Sequence, residues 1–420
     1  MAVVGRRKHL TGLKRISERL DRPSSHTARG ELLFLAPGDV TKGRVEPISW
    51  MRTCEAYALA GLDVTLVTLR MRRPDAVPDH ELWSHYGIDR LFTIRTAPTL
   101  LESNAPTWQF RVSAGSVATA LALLTLPRVA ASSARRLVAH ARAPVLLAPF
   151  VALSRALPVS RRPLLVLETH SLPTSANGWI VRSADLVVVN SEKLAADIQA
   201  ACRLDAGRVL HAPLPPFNPV RPHPKHLVRE RLSIDADAAV ACYTGKMTQE
   251  HNDFLLLAAE RAARKIDRFR MLLVGGNPEI LEWTRRRARE LEISDSIILT
   301  GFVAPATVEL YQSAADVLVY HMPTSMGIFS YTTPAKCYEY QAAERPIVAT
   351  DFPLFQEVFG EDGERAMRVT DRTPAGLAEG IVRVVSLPDS GHAMTVRGAA
   401  FVRDRTWAAR TEAILQALGV

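Results

Sequence analysis

Short apolar strands alternate with amphipathic helices along most of this 420-residue chain, and this alternation constrains the fold more than any other feature. From Glu31 onward the apolar runs are ELLFLAP, DVTLVTL, LLVLE, DLVVVN and RVLHAP, and helical patterns such as EPISWMRTCEAYALAG separate them. Strands that are apolar on both faces and joined through helices are typical of a parallel sheet covered on both sides. The first half is therefore predicted to form a doubly wound α/β domain.

A proline-rich stretch from Pro213 to Lys225, PLPPFNPVRPHPK, interrupts this alternation and is typical of a linker. The alternation then resumes with AVACYTG, FRMLLVGG, SIILTG and ADVLVYHM. The sequence therefore predicts two tandem, doubly wound Rossmann-like domains that face each other across a cleft, at residues 29–218 and 219–395. A basic tail at residues 1–28 and a long final helix at residues 396–420 complete the predicted organisation.

Two local patterns refine this prediction. Ser191 is expected to cap the helix EKLAADIQAAC, because serine is a preferred N-cap residue. The region from Ser113 to Val159 is rich in Ala, Leu and Arg and is interpreted as a pair of helices that cover the sheet. The alternative is a surface that contacts lipid, because arginines flank its apolar positions.

The formal net charge is +9, which favours an anionic partner such as a nucleotide, a phosphate or an acidic membrane surface. An arginine-rich composition without functional meaning is the alternative. In the tail, Leu10, Leu13, Ile16 and Leu20 recur at helical spacing among basic residues, as in segments that lie on anionic membranes, although a solvated tail explains the pattern equally well. Nucleic acid is not expected as a partner, because only 6% of residues are aromatic and no recognition motif appears.

The expected location is the cytoplasm, with peripheral contact at the inner membrane face as an additional expectation. No apolar run reaches the ~18–20 residues that span a bilayer, and no signal pattern follows the basic N-terminus. The four cysteines are far apart in the sequence, which argues against a structural zinc site and against a disulfide scaffold.

Glycines end three predicted strands of the second half: Gly245 in YTGKM, Gly275 in LLVGG and Gly301 in ILTGFV. Glycine at the end of a parallel strand lets a ligand approach closely, although tight turns use it without a ligand as well. Lys246 follows Gly245 and would suit a diphosphate in a cleft. A solvated surface lysine is the alternative.

The stretch TTPAKCYEY, residues 332–340, has the features of an anion site at a helix start. Thr333 is expected to cap the helix, with Pro334 at its first position, so that free N–H groups point forward. Lys336 opposes the helix dipole unless an anion binds in front of it. Glu339, one turn later, would accept hydrogen bonds from ligand hydroxyls, or alternatively pair with Lys336 on a solvated face.

Taken in order, these segments resemble the donor-binding half of retaining glycosyltransferases of the GT-B fold, family 4 type. The resemblance covers nearly all of Ala239 to Glu357 and rests on GKM, LLVGG, ILTGFV, LYQSAADVLVY and TPAKCYEYQAAERPIVATDFPLFQEV. The tail RTWAARTEAILQAL resembles the closing helix of that family, which crosses back to the first domain. LLVLETH and ADLVVVNSEKLAADI resemble strands of its acceptor domain.

This resemblance implies transfer of a sugar from a nucleotide-diphosphate sugar to a glycan or lipid-linked acceptor, in cell-surface polysaccharide or glycolipid synthesis, with no cofactor and no metal ion. His170 and Lys246 are the implied catalytic residues, and His170 would face the donor sugar. Glu339 would hold the ribose, and Phe302 and Val303 would lie by the base. The implied donor-binding set is Gly245, Lys246, Gly275, Phe302, Val303, Tyr331, Thr332, Thr333, Lys336 and Glu339, and Gly43 is assigned to the acceptor side.

Three features depart from the pattern of the family. Tyr331 stands where many members carry a glutamate that touches the donor sugar, KMTQEHND offers no second cation after Lys246, and APLPPFNP replaces an Asp-bearing turn. Two alternatives therefore stay open. One is a nucleotide-sugar epimerase or phosphorylase-like enzyme of the same fold, and the other is a non-catalytic GT-B binding protein.

Overall fold

Two parallel β-sheets, of seven and six strands, organise the chain. The structure is a computed structural model that describes residues 30–42, 45–72, 76–102, 107–131, 137–217, 223–322 and 331–420. The predicted fold class, two doubly wound α/β domains, is confirmed. Gly43 and the basic tail at residues 1–28 lie outside the described residues.

The first sheet has the order β3-β2-β1-β4-β5-β6-β7, and all of its strand pairs are parallel. The order reverses between β1 and β4, which creates a crevice at the carboxyl ends of the strands. The strands are β1 (Glu31–Leu35), β2 (Asp63–Arg72), β3 (Thr93–Glu102), β4 (Leu137–Ala141), β5 (Leu164–Glu168), β6 (Leu186–Val189) and β7 (Val209–His211). The helices that connect them are α1 (Val45–Leu59), α2 (Leu82–Tyr86), α3 (Thr107–Ala131), α4 (Pro144–Ser154), α5 (Gly178–Ser183) and α6 (Glu192–Cys202).

The second sheet has the order β10-β9-β8-β11-β12-β13 and reverses between β8 and β11. Its strands are β8 (Ala239–Thr244), β9 (Phe269–Val274), β10 (Ile297–Gly301), β11 (Val317–Tyr320), β12 (Ile347–Thr350) and β13 (Met367–Val369). Its helices are α7 (Lys225–Arg231), α8 (Gln249–Ala263), α9 (Pro278–Glu290), α10 (Val308–Ser313), α11 (Ala335–Ala342), α12 (Phe355–Phe359) and α13 (Pro374–Ser386). Two further helices, α14 (Pro388–Arg403) and α15 (Trp407–Leu418), end the chain.

Buried apolar strands explain why both sheets are covered on both faces. All five residues of β4 and all four residues of β6 and β11 are buried. Side-chain caps fix the starts of α6, α8, α9, α13 and α15. The predicted cap of α6 is confirmed because Ser191 Oγ accepts a hydrogen bond from Leu194 N at 3.2 Å. Burial of apolar strand faces on each side is the main source of stability in such a domain.

The prediction for residues 113–159 was incomplete. Two helices are present, α3 and α4, but β4 lies between them and pairs with both β1 and β5. The sequence of β4, LVAHA, is short and contains two alanines, which have low strand propensity. The strand forms because its neighbours bury it completely.

The prediction of one long final helix was wrong. The chain forms α14 and α15, and Thr406 starts the second helix by accepting a hydrogen bond from Ala409 N at 3.1 Å. The predicted boundary between residues 395 and 396 lies inside α14. Helix α15 packs on the first sheet, where Ile414 and Leu415 join its buried core.

No helix in the described part of the chain is both long enough and apolar enough to cross a membrane.

Candidate functional site

Three glycines form the floor of the cleft at the carboxyl ends of β8, β9 and β10. Gly245, Gly275 and Gly301 have φ angles of +138°, +128° and +72°. Gly275 N donates to Gly301 O at 2.9 Å, and a Cβ atom on Gly275 would overlap the carbonyl oxygen of Gly245. A side chain cannot be accommodated there, so three strand ends converge as bare backbone.

The start of α11 faces this glycine floor, although its cap differs from the prediction. Pro334, not Thr333, occupies the N-cap position with φ −65° and ψ 132°, and α11 begins at Ala335. Thr333 turns inward instead, with 3% of its surface exposed, and its Oγ1 atom has no hydrogen-bond partner among the described residues. The predicted Thr333 cap is therefore wrong, and α11 begins without a side-chain cap.

Lys336 lies against the glycine floor. Its Nζ atom donates to the Tyr243 hydroxyl at 2.9 Å and lies 4.4 Å from the Tyr243 ring centroid and 5.0 Å from that of Tyr320. A Cβ atom on Gly245 would overlap this Nζ. The aromatic faces stabilise a cation that the helix dipole disfavours, so a positive charge is fixed beside the start of α11.

Lys246 is arranged differently from Lys336. It is exposed, and the structure gives its ammonium no hydrogen bond or ion pair with any described residue. Its backbone carbonyl accepts a hydrogen bond from the Tyr243 hydroxyl at 2.9 Å. Tyr243 thus joins the two lysines, with the Lys336 ammonium on one side of its hydroxyl and the Lys246 carbonyl on the other.

The chain contains one Asp-x-Asp sequence, Asp235-Ala236-Asp237, which lies away from this floor. It immediately precedes β8, at the amino end of a strand whose carboxyl end carries Gly245. Asp237 is exposed and pairs with Arg268 at 3.2 Å. These carboxylates therefore lie near the amino ends of the strands, whereas the cleft lies at their carboxyl ends.

Glu339 lies one helical turn after Lys336, half-buried in α11. No ion pair within 4 Å joins it to Lys336, and it accepts a hydrogen bond from the backbone of Phe217 instead. Burial raises the pKa of Glu339 to about 7, while Lys336 and the Phe217 N–H oppose this rise. The carboxyl group therefore keeps its proton to a higher pH than an exposed glutamate does.

The stretch that replaces the Asp-bearing turn of the family packs between α11 and α15. Trp407 Nε1 donates to Pro216 O at 2.9 Å, and the rings of Phe217 and Trp407 stack with centroids 6.3 Å apart. The end of the linker thereby brings the Phe217 N–H to the Glu339 carboxyl group.

Tyr331, Thr332 and Thr333 form a three-point contact with the first domain. Ser191 Oγ donates to Tyr331 O at 2.6 Å, Thr332 Oγ1 donates to His170 O at 3.0 Å, and Asn190 Nδ2 donates to Thr333 O at 3.4 Å. The carbonyl of Tyr331 points at the first domain, so the Thr332 N–H of the same trans peptide points away from it. The carboxyl ends of the two sheets therefore face each other across the site.

A second contact between the domains lies beside this one. The Glu357 carboxylate accepts hydrogen bonds from Glu192 N at 3.0 Å and from Lys193 N at 3.3 Å, at the N-terminus of α6. An anion at a helix N-terminus is favoured by the free N–H groups and by the helix dipole.

His170 follows β5, on the wall of the cleft opposite the glycine floor. Its Nε2 atom is hydrogen-bonded to Arg142 Nη2, and 22% of its side chain is exposed. Burial and the charge of Arg142 lower the pKa of His170 to about 4. The imidazole is therefore neutral at physiological pH.

A buried charge cluster lies behind His170, at the ends of β4 and β5. Glu168 Oε1 is 3.3 Å from Arg142 Nη1 and 3.0 Å from Arg410 Nη2, and 1% of the Glu168 side chain is exposed. Burial alone would raise the pKa of Glu168, but Arg142 and Arg410 outweigh it and hold this pKa well below its usual range. The C-terminal helix α15 thus supplies one of the two cations that neutralise a buried carboxylate of the first domain.

Phe302 and Val303 extend from the end of β10 toward the first domain. Phe302 is 54% exposed, and its ring is stacked with that of His85 from α2, with centroids 6.3 Å apart. Val303 is half-buried beside the core of the second sheet. Gly43, assigned to the acceptor side, lies outside the described residues, so its position is not part of this geometry.

Several residues of the site carry no signal that sequence reasoning could use. Tyr243 and Tyr320 read as ordinary apolar strand residues, and only the fold brings both rings to Lys336. Arg142 lies 28 residues before His170 in the sequence, and Asn190 lies 143 residues before Thr333. The one available signal for Asn190 is its position directly after a predicted strand.

Residues 238–386 match the family model described as glycosyl transferases group 1. Among curated proteins, the chain is 23% identical over 163 residues to alpha-monoglucosyldiacylglycerol synthase of Streptococcus pneumoniae, a match that covers 39% of this chain and 35% of that protein. The chain thus matches about a third of the length of this relative. The resemblance to group 1 glycosyltransferases is confirmed for the second domain.

Solved structures extend the likeness to both domains. Sucrose-phosphate synthase from Thermosynechococcus elongatus superimposes with a TM-score of 0.67 at 18% identity, covering 93% of this chain and 98% of that one. HepE of Anabaena, solved in complex with UDP and glucose, superimposes with a TM-score of 0.64 at 16% identity, covering 93% and 99%. At these identities the likeness concerns the fold, and the GT-B arrangement is confirmed.

Proposed function

We propose that this protein is a retaining, metal-independent hexosyltransferase that moves a sugar from a nucleotide-diphosphate sugar to a glycan or lipid-linked acceptor. The family match of residues 238–386 and the GT-B fold support sugar transfer. The complex of HepE with UDP and glucose supports a nucleoside diphosphate in the cleft.

One observation carries the proposal: Lys336 is fixed against the glycine floor at the start of α11. Two aromatic rings and a hydroxyl hold its ammonium, and Lys336 itself lies in the first turn of α11. Both features favour an anion, and the missing side chain of Gly245 lets the Lys336 ammonium lie directly against the backbone at the end of β8. A leaving diphosphate is the anion that this reaction must stabilise.

In this proposal, Lys336, Lys246 and the amides around Thr332 neutralise the charge that develops on the diphosphate as the glycosidic bond breaks. The exposed Lys246 would close on the ligand, since it is free to move. Glu339 would accept hydrogen bonds from the ribose, and Phe302 would lie by the base. His170 would line the opposite wall beside the donor sugar, and contact between the domains would exclude water.

The same arrangement supports metal independence, because protein cations and helix amides can supply the positive charge. The position of the Asp-x-Asp sequence supports metal independence, since it lies before the amino end of β8 and the glycine floor lies at the carboxyl end. Transfer should therefore persist after treatment with EDTA.

Thermal-shift screening of nucleotide-sugars, followed by transfer assays with the best binder, tests the function. Lys336→Met should lower kcat/KM by about 10²–10³, as the loss of one charge-stabilising donor does in other enzymes. Lys265→Met is the matched control, because Lys265 is exposed and pairs with Glu379 away from the cleft. Equal activity of both variants would contradict the site, and NMR of the product anomer decides whether the configuration is retained.

We also propose that the acceptor is reached at an anionic membrane surface. The outer face of α3 exposes Val112, Leu123 and Leu124, at 62%, 57% and 61%, and the sequence has no charged residue from Val112 to Pro127. An uncharged apolar helix face on a protein of net charge +9 suits a lipid surface. The Streptococcus pneumoniae relative is named for a glycosylated diacylglycerol, which supports the same class of acceptor.

Vesicles that contain about 30% anionic lipid provide the test, because apolar contact and charge act together there. Deletion of residues 1–28 and the double change Leu123→Glu and Leu124→Glu should each weaken sedimentation with these vesicles. Unchanged binding of both variants, or no binding of the unaltered protein, would remove the membrane from the proposal.

A further inference from the structure

His170 is restricted to one tautomer by its neighbour Arg142. A guanidinium group only donates hydrogen bonds, so the Nε2 atom of His170, which is bonded to Arg142 Nη2, must accept. The neutral imidazole then carries its proton on Nδ1. The pKa of His170 is lowered to about 4, so the imidazole is neutral at physiological pH.

Arg142 itself cannot turn away from His170 without cost. Its Nη1 atom donates to Ser49 Oγ at 2.9 Å and lies 3.3 Å from Glu168 Oε1. Glu168 is held from the other side by Arg410 of α15, which also donates from Nε to Ala212 O at 3.0 Å. The guanidinium plane of Arg142 is thus fixed on two edges, and the tautomer of His170 is fixed with it.

His170 Nδ1 and Asn190 Oδ1 are both buried, and neither atom makes a hydrogen bond with any residue that the structure describes. The side chain of Asn190 raises the pKa of His170, the effect expected when a carbonyl oxygen accepts from the imidazole N–H. Asn190 is 3% exposed, so bulk water has little access to its side chain.

Asn190 also makes a hydrogen bond with the second domain. An Oδ1 that accepts from His170 leaves Nδ2 to donate, and Nδ2 donates to Thr333 O at 3.4 Å. The structure shows the first link, Arg142 to His170, and the last, Asn190 to Thr333. A hydrogen bond between the two unpartnered atoms would join these links with every donor and acceptor in one direction. The chain ends on the residue before Pro334, at the start of α11.

We propose that Arg142, His170 and Asn190 form a directional hydrogen-bond chain that positions the Thr332–Thr333 backbone for the diphosphate of the donor. His170 then acts as a positioning residue whose two ring nitrogens are both engaged, and it does not take up a proton during transfer. The inference rests on the proposed function, because that function supplies the diphosphate that the loop before α11 would bind. It also makes the donor site complete only when the two domains are in contact.

The tautomer can be measured without any activity assay. Two-bond ¹⁵N–¹H correlation spectra of the full chain should show His170 as the Nδ1–H tautomer, with His170→Gln used to assign the signal. Arg142→Gln should release this restriction and populate the Nε2–H tautomer, which is the common form in water. An Nε2–H or mixed tautomer in the unaltered protein would overturn the chain.

Asn190→Asp tests the link to the loop. The carboxylate still accepts from His170 but has no N–H for Thr333 O, so the last link becomes repulsive. Affinity for the nucleoside diphosphate, screened among UDP, GDP and ADP by calorimetry, should fall at least about tenfold, the effect of one lost charge-assisted or buried hydrogen bond. Affinity for the matching monophosphate should stay within about twofold, because the monophosphate lacks the terminal phosphate that would reach the Thr332–Thr333 backbone.

Asn252→Asp is the matched control. Asn252 is buried at 0% exposure in α8 and donates from Nδ2 to Thr284 Oγ1 at 2.7 Å. It takes no part in the hydrogen-bond chain of Arg142, His170 and Asn190. It should leave the ratio of diphosphate to monophosphate affinity unchanged, and the His170 tautomer should also be unaltered in that variant. An equal loss of diphosphate affinity in both variants, or none in Asn190→Asp, would overturn the proposal.

Binding measurements distinguish failure of the proposed function from failure of the hydrogen-bond chain. If the unaltered protein binds none of the nucleoside diphosphates, the proposed function fails, and with it the role of the chain in binding. If the unaltered protein binds one and Asn190→Asp binds it equally well, the proposed function stands and the positioning chain is wrong.

Discussion

At the scale of single residues, the most informative side chain is Glu339. A carboxyl group on a solvated helix face would keep its usual pKa, whereas burial raises the pKa of Glu339 to about 7. The unfolded chain ionises this group near its usual value, so between these two pKa values the folded protein binds more protons than the unfolded chain. The contribution of Glu339 to stability therefore falls as pH rises from about 4.5 to 7.

Glu339→Gln should remove this pH dependence, because the amide does not titrate. The free energy of unfolding of the unaltered protein should decline relative to that of the variant between pH 5 and 7, by at most about 1.4 kcal/mol per pH unit and by less where solvent screens the group. Denaturant titrations at pH 5, 6, 7 and 8 check this. Parallel curves for the two proteins would show that Glu339 ionises normally.

The sequence predicted where these residues lie in the fold better than it predicted their contacts. The sequence pattern was sufficient to predict that five residues lie near the carboxyl ends of the strands of one sheet: Gly245, Lys246, Pro334, Lys336 and Glu339. It was not sufficient to show that Tyr243 holds Lys336, or that Glu339 meets the Phe217 N–H instead of Lys336. Those contacts depend on residues brought together by the sheet and by the linker, which leave no periodic signal.

At the scale of elements, the N-terminus of α6 joins the two domains through a carboxylate of α12. Glu357 accepts from two backbone N–H groups there, while the Ser191 hydroxyl caps the same helix and also donates to Tyr331 O. One helix end thus serves both local structure and contact between domains. The sequence predicted the Ser191 cap because a cap is a local pattern, but it gave no sign that a residue 165 positions away would join it.

Glu357→Gln should loosen this contact, because an anion at a helix N-terminus contributes about 0.3–1 kcal/mol that a neutral amide does not. Small-angle X-ray scattering should show a larger radius of gyration for the variant at low salt, with the difference shrinking as salt screens the unaltered protein.

Glu192→Gln is the control for Glu357→Gln. Glu192 lies at the same helix end, but 74% of its side chain is exposed, and it makes no ion pair with the second domain among the described residues. A radius of gyration that grows equally in both variants would show that the effect is one of general charge.

At the scale of the whole molecule, α15 makes the two domains depend on each other. It follows the second sheet in the sequence but buries Ile414 and Leu415 in the core of the first, and its Arg410 neutralises Glu168. The sequence predicted the two domains from their alternating patterns. It did not predict the break before α15, because the break depends on a single cap at Thr406 within a continuous helical pattern.

Ile414→Ala should destabilise the first domain by about 2–5 kcal/mol, the usual effect of truncating a fully buried isoleucine. Hydrogen exchange of β1, β4 and β5 should accelerate, while exchange of β8 and β9 should change little. Gln416→Ala, on an exposed position of the same helix, should leave both sets of strands unaffected. Faster exchange confined to the second sheet would contradict the placement of α15.

The position of α15 also has a consequence for biosynthesis. A ribosome adds residues in sequence order, so the strands of the first sheet emerge long before Arg410 and Ile414 exist. Until then Glu168 lacks one of its two cations, and the first core lacks a helix that covers it. The second domain, whose buried core is drawn from residues 228–402, has all of its strands and helices earlier than the first has its own. The domain that is translated first is therefore the one that completes its folding last.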